Sequence, residues 1–392
     1  MADEILGGVR VLDFTTIVSG PYCTRMLADL GAEVIKVEPP EGDYIRTQPP
    51  MRDGPSAYFA HLNCGTKSIA IDLKRPGATE LMRDLADRCD IVVENSRPGV
   101  MRRLGLDYAT LSARNPRLIY CSISGFGQTG PWAGRSAYAP ILHAASGYDM
   151  VNLSYQDGLD APLKTGIYVG DVLGGTCAFG AIQTAMYRRE KTGRGEFIDL
   201  AMMDAMLGML IYEFQEAQIP VSKQARGFPP TRTKDGFVMI AFVKPNNFEA
   251  TARAIGHPEW ITDPRFNTIN SRLKNWDELM ALVGEWTASR TAAECEAILD
   301  KAGVPCSRYY SVREAQALPH LVERGSFETI DDGAGALRVP NPAFKMAHSI
   351  ARARDYVPSL GGDNASILTS VLEYSPRQIE ELRAQKVLAG RG

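Results

Sequence analysis

Short apolar, β-branched runs alternate with helical patterns through the first half of the chain, the arrangement expected of a parallel sheet with crossover helices. Residues 9–14 predict a strand, 21–30 a helix and 32–37 the next strand, which together make one βαβ unit. Ser19 as a cap, Gly20 relaxing the turn and Pro21 at the first helical position signal where that helix starts. The unit recurs, with strand 68–73, helix 76–89 and a buried strand over 90–94, then helix 108–115 and strand 118–123. Residues 172–190 predict a long helix, stopped by Arg188 and Arg189 in its last turn and by Gly193 and Gly195 beyond. Residues 197–201 follow as a strand, and the Met-rich stretch 202–214 as a buried helix whose methionines fill core.

The polar, Pro-containing segment 219–235 changes the character of the chain and marks a domain boundary. Past it, strand 237–242 and helices over 248–255, 276–286 and 292–302 predict a smaller α+β domain. From Pro319 the tail offers a strand-like 336–339 and a last helix over 376–385, too little for a third core, so it is expected to pack on one of the other two. The fold class is therefore α/β: a large Rossmann-like domain with a parallel sheet over 1–222, a small α+β domain over 227–318 and a C-terminal segment over 319–392. A chain of 392 residues exceeds what one core usually organises, in keeping with two domains.

Composition removes several classes of function. A net charge of -3 leaves no basic excess for nucleic acid, so no nucleic-acid partner is expected. The seven cysteines are odd in number, scattered and without a C-x-x-C pair, which argues against a disulfide framework or a zinc knuckle and fits a reducing, cytoplasmic location. No apolar stretch approaches the ~18 residues that span a bilayer, and the acidic N-terminus runs straight into a strand, so neither an export signal nor a membrane partner is expected.

The familiar cofactor and nucleophile motifs fail in turn. Gly125, Gly127 and Gly130 form a nominal dinucleotide fingerprint after a strand, but Pro131 and Gly134 interrupt the helix whose amides would hold a pyrophosphate. There is no phosphate-cradling G-x-x-x-x-G-K-[ST] loop, no G-x-S-x-G and no H-E-x-x-H; the five histidines are mutually distant, so no metal site is assigned. His143, on an apolar run, reads as a core histidine. What stands out is Asp171, set between Gly170 and Gly174 at the start of the long helix. Such a carboxylate is either a helix cap or a nucleophile presented where a ligand can approach the backbone, and the segment 168–175 taken alone favours the cap. Cations gather where strands end: Lys74 and Arg75 after one, Arg97, Arg102 and Arg103 after the next. The carboxyl ends of parallel strands are where open α/β sheets bind ligands, so these side chains could grip a phosphorylated cofactor.

Several segments in one order resemble a known family. They are Val11-Leu12-Asp13-Phe14 with Gly20-Pro21, Leu30-Gly31-Ala32-Glu33-Val34-Ile35-Lys36-Val37-Glu38, Lys67-Ser68-Ile69-Ala70-Ile71-Asp72-Leu73-Lys74 and Val93-Glu94-Asn95-Ser96-Arg97-Pro98-Gly99. To these are added Ser124-Gly125-Phe126-Gly127, Gly170-Asp171 and Lys191-Thr192-Gly193-Arg194-Gly195. Over nearly its whole length the chain resembles the class III coenzyme A transferases, the group with formyl-CoA:oxalate and carnitine CoA-transferases and the α-methylacyl-CoA racemases. The resemblance implies an interlocked homodimer whose C-terminal segment returns to the large domain. It implies Asp171 as the nucleophile in transfer of CoA from an acyl-CoA to a carboxylic acid, through aspartyl anhydride and aspartyl-CoA thioester intermediates. CoA is then a co-substrate, with no tightly bound cofactor. CoA contacts carry over to Val18 and Ser19, to Ile71, Asp72, Leu73 and Lys74, to Asn95, Ser96 and Arg97, and to Arg103; Tyr138, Gly174 and Gly175 fall on the substrate side, the two glycines as amides for a developing oxyanion. The alternative within the superfamily, α-epimerisation, is poorly supplied, because the racemases' His-Asp pair corresponds to a segment that here reads Arg135-Ser136-Ala137-Tyr138-Ala139. Oxalate-specific members carry Gln where Val18 stands, Trp near Gln48 and a tetraglycine loop where this chain has Arg226-Gly227-Phe228, so oxalate and formate are not expected substrates.

Overall fold

A computed structural model describes residues 3–219 and 228–390. They fall into two compact units, one formed by 3–153, 159–214 and 322–390, the other by 154–158, 215–219 and 228–321.

The first unit is built on a six-stranded parallel sheet. Its elements, in chain order, are β1 (Arg10–Phe14), α1 (Ser19–Asp29), β2 (Glu33–Glu38), β3 (Thr66–Ala70), α2 (Ala78–Asp87), β4 (Ile91–Glu94), α3 (Val100–Leu104), α4 (Tyr108–Arg114), β5 (Ile119–Ser124), α5 (Ala139–Ala145), α6 (Val169–Thr192), β6 (Glu196–Ala201) and α7 (Met202–Met209). The strand order is β3-β2-β1-β4-β5-β6, the doubly wound order that reverses between β1 and β4. Register follows the apolar pattern: Leu12 lies beside Ile35 on one side and Val92 on the other. Successive side chains of a strand point to opposite faces, so Leu12, Ile35 and Val92 enter one core while Val11, Val34, Ile91 and Val93 enter another. The second of these cores is closed by Cys23 and Leu27 of α1 and Ala178 and Ile182 of α6.

The second unit joins an antiparallel sheet of β7 (Thr231–Arg232), β8 (Phe237–Ile240) and β9 (Cys306–Arg308) to helices α8 (Pro245–Ala254), α9 (Trp276–Ala288) and α10 (Ala292–Lys301). Its core holds Val238, Phe242, Phe248, Leu279 and Leu299. The tail adds the hairpin β10 (Phe327–Asp331) and β11 (Ala336–Pro340), then helices α11 (Asn364–Leu372) and α12 (Pro376–Ala384). Ile367, Leu368 and Ile379 of these helices enter the same core as Leu12 and Ile35, so the tail completes one face of the large sheet.

Three local expectations change. Ser19 is the first residue of α1 rather than its cap; Val18 stands at the cap, without a side-chain hydrogen bond, and Pro21 is the third helical residue. The stretch 202–214 is not one buried helix: α7 ends at Met209, Leu210 leaves helical geometry with ψ 55, and Ile211 beyond it is 78 % exposed in the single chain. The long helix starts at Val169 rather than 172, which puts Asp171 inside its first turn. Among the described residues no helix is long and apolar enough to cross a membrane.

Candidate active site

Where the strand order reverses, the chain leaving β1 and the chain leaving β4 part and open a crevice at their carboxyl ends. The turn Thr16, Ile17, Val18 and Ser19 forms one wall of a pocket there, and Asn95, Ser96 and Arg97 form another. Ser124 and Gly125 at the end of β5, Arg135 and Tyr138 on the loop to α5, Met202 and Asp171 complete it.

The first wall is strained and is held from beneath. Ile17 has φ 69, a left-handed conformation that a β-branched residue rarely adopts. Asp13 accepts the Thr15 N–H at 2.8 Å and the Thr24 hydroxyl at 2.8 Å. Lys36 Nζ donates to the Thr15 carbonyl at 2.9 Å and pairs with Asp43 at 3.0 Å, while both Asp43 oxygens receive the Ile17 N–H at 3.3 Å. Asn95 brackets Thr16, accepting its N–H at 2.9 Å and donating to its carbonyl at 2.8 Å. Asp13, Lys36 and Asp43 are buried, as is Glu38, which pairs with Arg46 at 2.7 Å. Burial works against a charged Lys36, but the Asp13, Asp43 and Glu38 carboxylates outweigh it and raise its pKa above the usual lysine value. Beneath the second wall, buried Glu94 accepts the Ser96 N–H at 2.7 Å and the hydroxyl of Ser122; burial pushes its carboxyl up to about 7.

Asp171 does not cap its helix. The Gly170 N–H is taken by Nε2 of His143, at 3.1 Å, and the Val172 N–H by the Tyr168 carbonyl. An imidazole nitrogen that accepts is unprotonated, and burial lowers the His143 pKa, so this histidine is neutral and is occupied as the cap. It is a buried histidine, as the sequence suggests, and it is not a free base. The Asp171 carboxyl is desolvated at the pocket wall, which pushes it up to about 6; the Ala139 amide, hydrogen-bonded to it, pulls the other way. Gly174 and Gly175 correct the expectation of amides free for an oxyanion. They lie in the second turn of α6, where N–H groups bond the helix's own carbonyls, and both are buried against neighbours. A Cβ on Gly175 would fall 2.5 Å from the Ser19 carbonyl oxygen and one on Gly174 2.7 Å from Met202, so these glycines let α6 approach the first wall and α7 closely.

Of the residues singled out in the sequence, Val18, Ser19, Asn95, Ser96, Arg97, Tyr138 and Asp171 share this pocket. Ile71, Asp72, Leu73 and Lys74 follow β3, at the edge of the sheet, and are not among its lining residues; Ile71 bridges to Leu388 and Asp72 pairs with Arg75 at 3.1 Å. Arg103 is exposed on α3, also outside the lining. Arg226 and Gly227 lie outside the described residues. The structure adds Thr16, Ile17 and Arg135, none of which a motif announced. Ser124 and Gly125 belong to the failed dinucleotide fingerprint: a Cβ on Gly125 would meet that of Ala137 at 2.3 Å, so the glycine serves the return of the loop rather than a pyrophosphate.

The model of CoA-transferase family III matches residues 6–364. Among curated relatives, the succinyl-CoA–D-citramalate CoA-transferase of Chloroflexus aurantiacus is 33 % identical, with 98 % of each chain covered. The acetyl-CoA:oxalate CoA-transferase of Acetobacter aceti is 36 % identical over 92 % of this chain and 94 % of its own. Among solved structures, a CaiB/BaiF family protein from Brucella suis superposes with a TM-score of 0.81 at 32 % identity, over 93 % of this chain and 99 % of that one. The family model and the curated relatives match across nearly the full length, and the crevice at the strand reversal is in keeping with them: the chain belongs to CoA-transferase family III.

Proposed function

We propose that the enzyme moves CoA from an acyl-CoA to a free carboxylic acid with Asp171 as covalent nucleophile. The observation that carries this reading is that Asp171 is the one carboxylate among the described residues lining the pocket. Its carboxylate attacks the thioester carbonyl and CoA thiolate leaves, giving an aspartyl-acyl anhydride. The thiolate then attacks the aspartyl carbonyl, releasing the donor acid and leaving an aspartyl-CoA thioester. The incoming carboxylate reverses both steps, so the thioester's energy is conserved and no water enters. A partly desolvated carboxylate suits this work, because weaker hydration leaves it more reactive once it is ionised. The relatives named act on acids with two carboxylates, D-citramalate and oxalate. Val18 and the lack of the other oxalate-specific residues support an acceptor other than oxalate. Epimerisation is not taken further, since His143 is occupied by the Gly170 amide and the racemases' His-Asp pair is absent.

The test is the pH dependence of transfer between an acyl-CoA donor and a carboxylate acceptor. Attack needs the ionised form, and burial raises the Asp171 pKa to about 6, so kcat/KM is expected to be flat above that pH and to fall about tenfold per pH unit below it. A profile still flat at pH ~4.5, where an ordinary aspartate remains largely ionised, contradicts the assignment.

We further propose that the chain works as a homodimer. Leu163, Ile167, Tyr168 and Val172 fall within ten residues at the start of α6 and all are exposed in the single chain; an apolar run of this kind supports cover by a second copy. Sedimentation at micromolar concentration is expected to give twice the chain mass; a monomer refutes this part.

A further inference from the structure

Among the described residues lining the pocket, two carry guanidinium groups, Arg97 and Arg135, against a single carboxylate. Among the described residues neither arginine forms an ion pair or a side-chain hydrogen bond. Nor does either hold Asp171 down: burial and the Ala139 amide account for that carboxyl, which rises rather than falls. A cation close to Asp171 would have lowered it, so the two arginines are available to something that enters.

They come from different walls. Arg97 continues the Asn95-Ser96 turn, on the side assigned to CoA. Arg135 lies on the loop between β5 and α5, four residues before the amide that bonds Asp171. Its guanidinium stacks 4.0 Å from the Trp132 ring, and Trp132 meets Phe126 edge-on at 5.4 Å. Stacking fixes the plane of the fork while leaving its N–H edge unused, which suits bidentate binding of a carboxylate.

We propose that Arg135 is the specificity residue of the acid site: it binds the second carboxylate of a dicarboxylic acid whose first carboxylate reacts at Asp171. The inference rests on the transferase reading above and adds to it the substrate class and the residue that selects it. A monocarboxylate fills the same site but leaves the guanidinium without its anion, and rejection follows from that unpaired group.

The experiment compares glutarate with valerate, acids of equal chain length, as acceptors for the wild type, Arg135→Gln and Arg135→Lys, with the acyl-CoA donor saturating. The wild type is expected to prefer glutarate. In Arg135→Gln the ratio of kcat/KM for glutarate over valerate falls about 10- to 100-fold, the range for losing a charge-assisted pair. Arg135→Lys, which keeps the charge without the fork, lies between. Three results overturn the proposal: an unchanged ratio, equal loss for both acids, or an effect confined to the KM of the CoA donor, which would assign Arg135 to a CoA phosphate. If the wild type transfers CoA to neither acid nor to any of a wider panel of carboxylates, the transferase reading itself fails. If it transfers to both acids equally, only the role of Arg135 does.

Discussion

Alanine in place of Asp171 is expected to lower CoA transfer by about 10⁴-fold or more and, in the same protein, to raise stability at pH 8. The first effect follows from removing the atom that forms both covalent intermediates. The second follows from the sign of the pKa shift. Desolvation raises the Asp171 carboxyl from 3.8 to about 6, so the folded state keeps this proton over a range where the unfolded chain has lost it. Stability therefore falls as pH rises from about 4 to about 6, and the full penalty stands above that. A shift of this size corresponds to about 1–3 kcal/mol, and alanine, which cannot ionise, removes it. A helix cap behaves in the opposite way, since replacing an aspartate cap by alanine costs about 1 kcal/mol. Urea unfolding of the two proteins at pH 8 separates the roles: a destabilised Asp171→Ala points to the cap, a stabilised and inactive one to the nucleophile.

Lys36→Met is expected to give the largest loss of stability of any substitution beneath the pocket, about 3–5 kcal/mol, the range for stranding buried charges by removing one partner. Lys36 is the cation facing Asp13 and Asp43, and it also holds the Thr15 carbonyl. Without it two buried carboxylates face each other, and Ile17, whose left-handed backbone rests on Asp43, loses its support. Enough protein should fold at low temperature to measure an increased KM for acyl-CoA, because Val18 and Ser19 extend from the same turn. Combining Lys36→Met with Asp43→Asn should cost less than the sum of the two single changes, since the pair is coupled. A loss below about 1 kcal/mol, or strict additivity, would show that the turn stands without the clamp.

The parts of this molecule that read directly from the sequence are those set by local pattern. Continuous apolar runs such as Val11-Leu12 and Ile91-Val92-Val93 mark strands buried on both faces, and the alternation with helices implies the parallel α/β sheet that is observed. Gly193, at φ 70, ends α6 where the stop signals place it. What the sequence hides depends on distant partners. The helix begins three residues before 172 because His143, from another helix, caps it, and no local signal reports that. Arg135 sits on an irregular loop whose return is set by close approach to Gly125. Lys36 lies inside the apolar run 34–37, and only the fold shows that Asp13, Asp43 and Glu38 converge on it. For Asp171, residue type and resemblance point to the chemistry, while the segment 168–175 alone favours a cap that the structure assigns to His143 instead.

On the function proposed above, CoA passes through a covalent bond to Asp171. The most direct test is to incubate the enzyme with an acyl-CoA donor in the absence of acceptor, add hydroxylamine, and map the modified peptide by mass spectrometry. An aspartyl hydroxamate is expected at position 171, formed only when acyl-CoA is present. An enzyme that turns over with acceptor present and yet shows no modification at Asp171, or carries it on another residue, would rule out Asp171 as the covalent nucleophile.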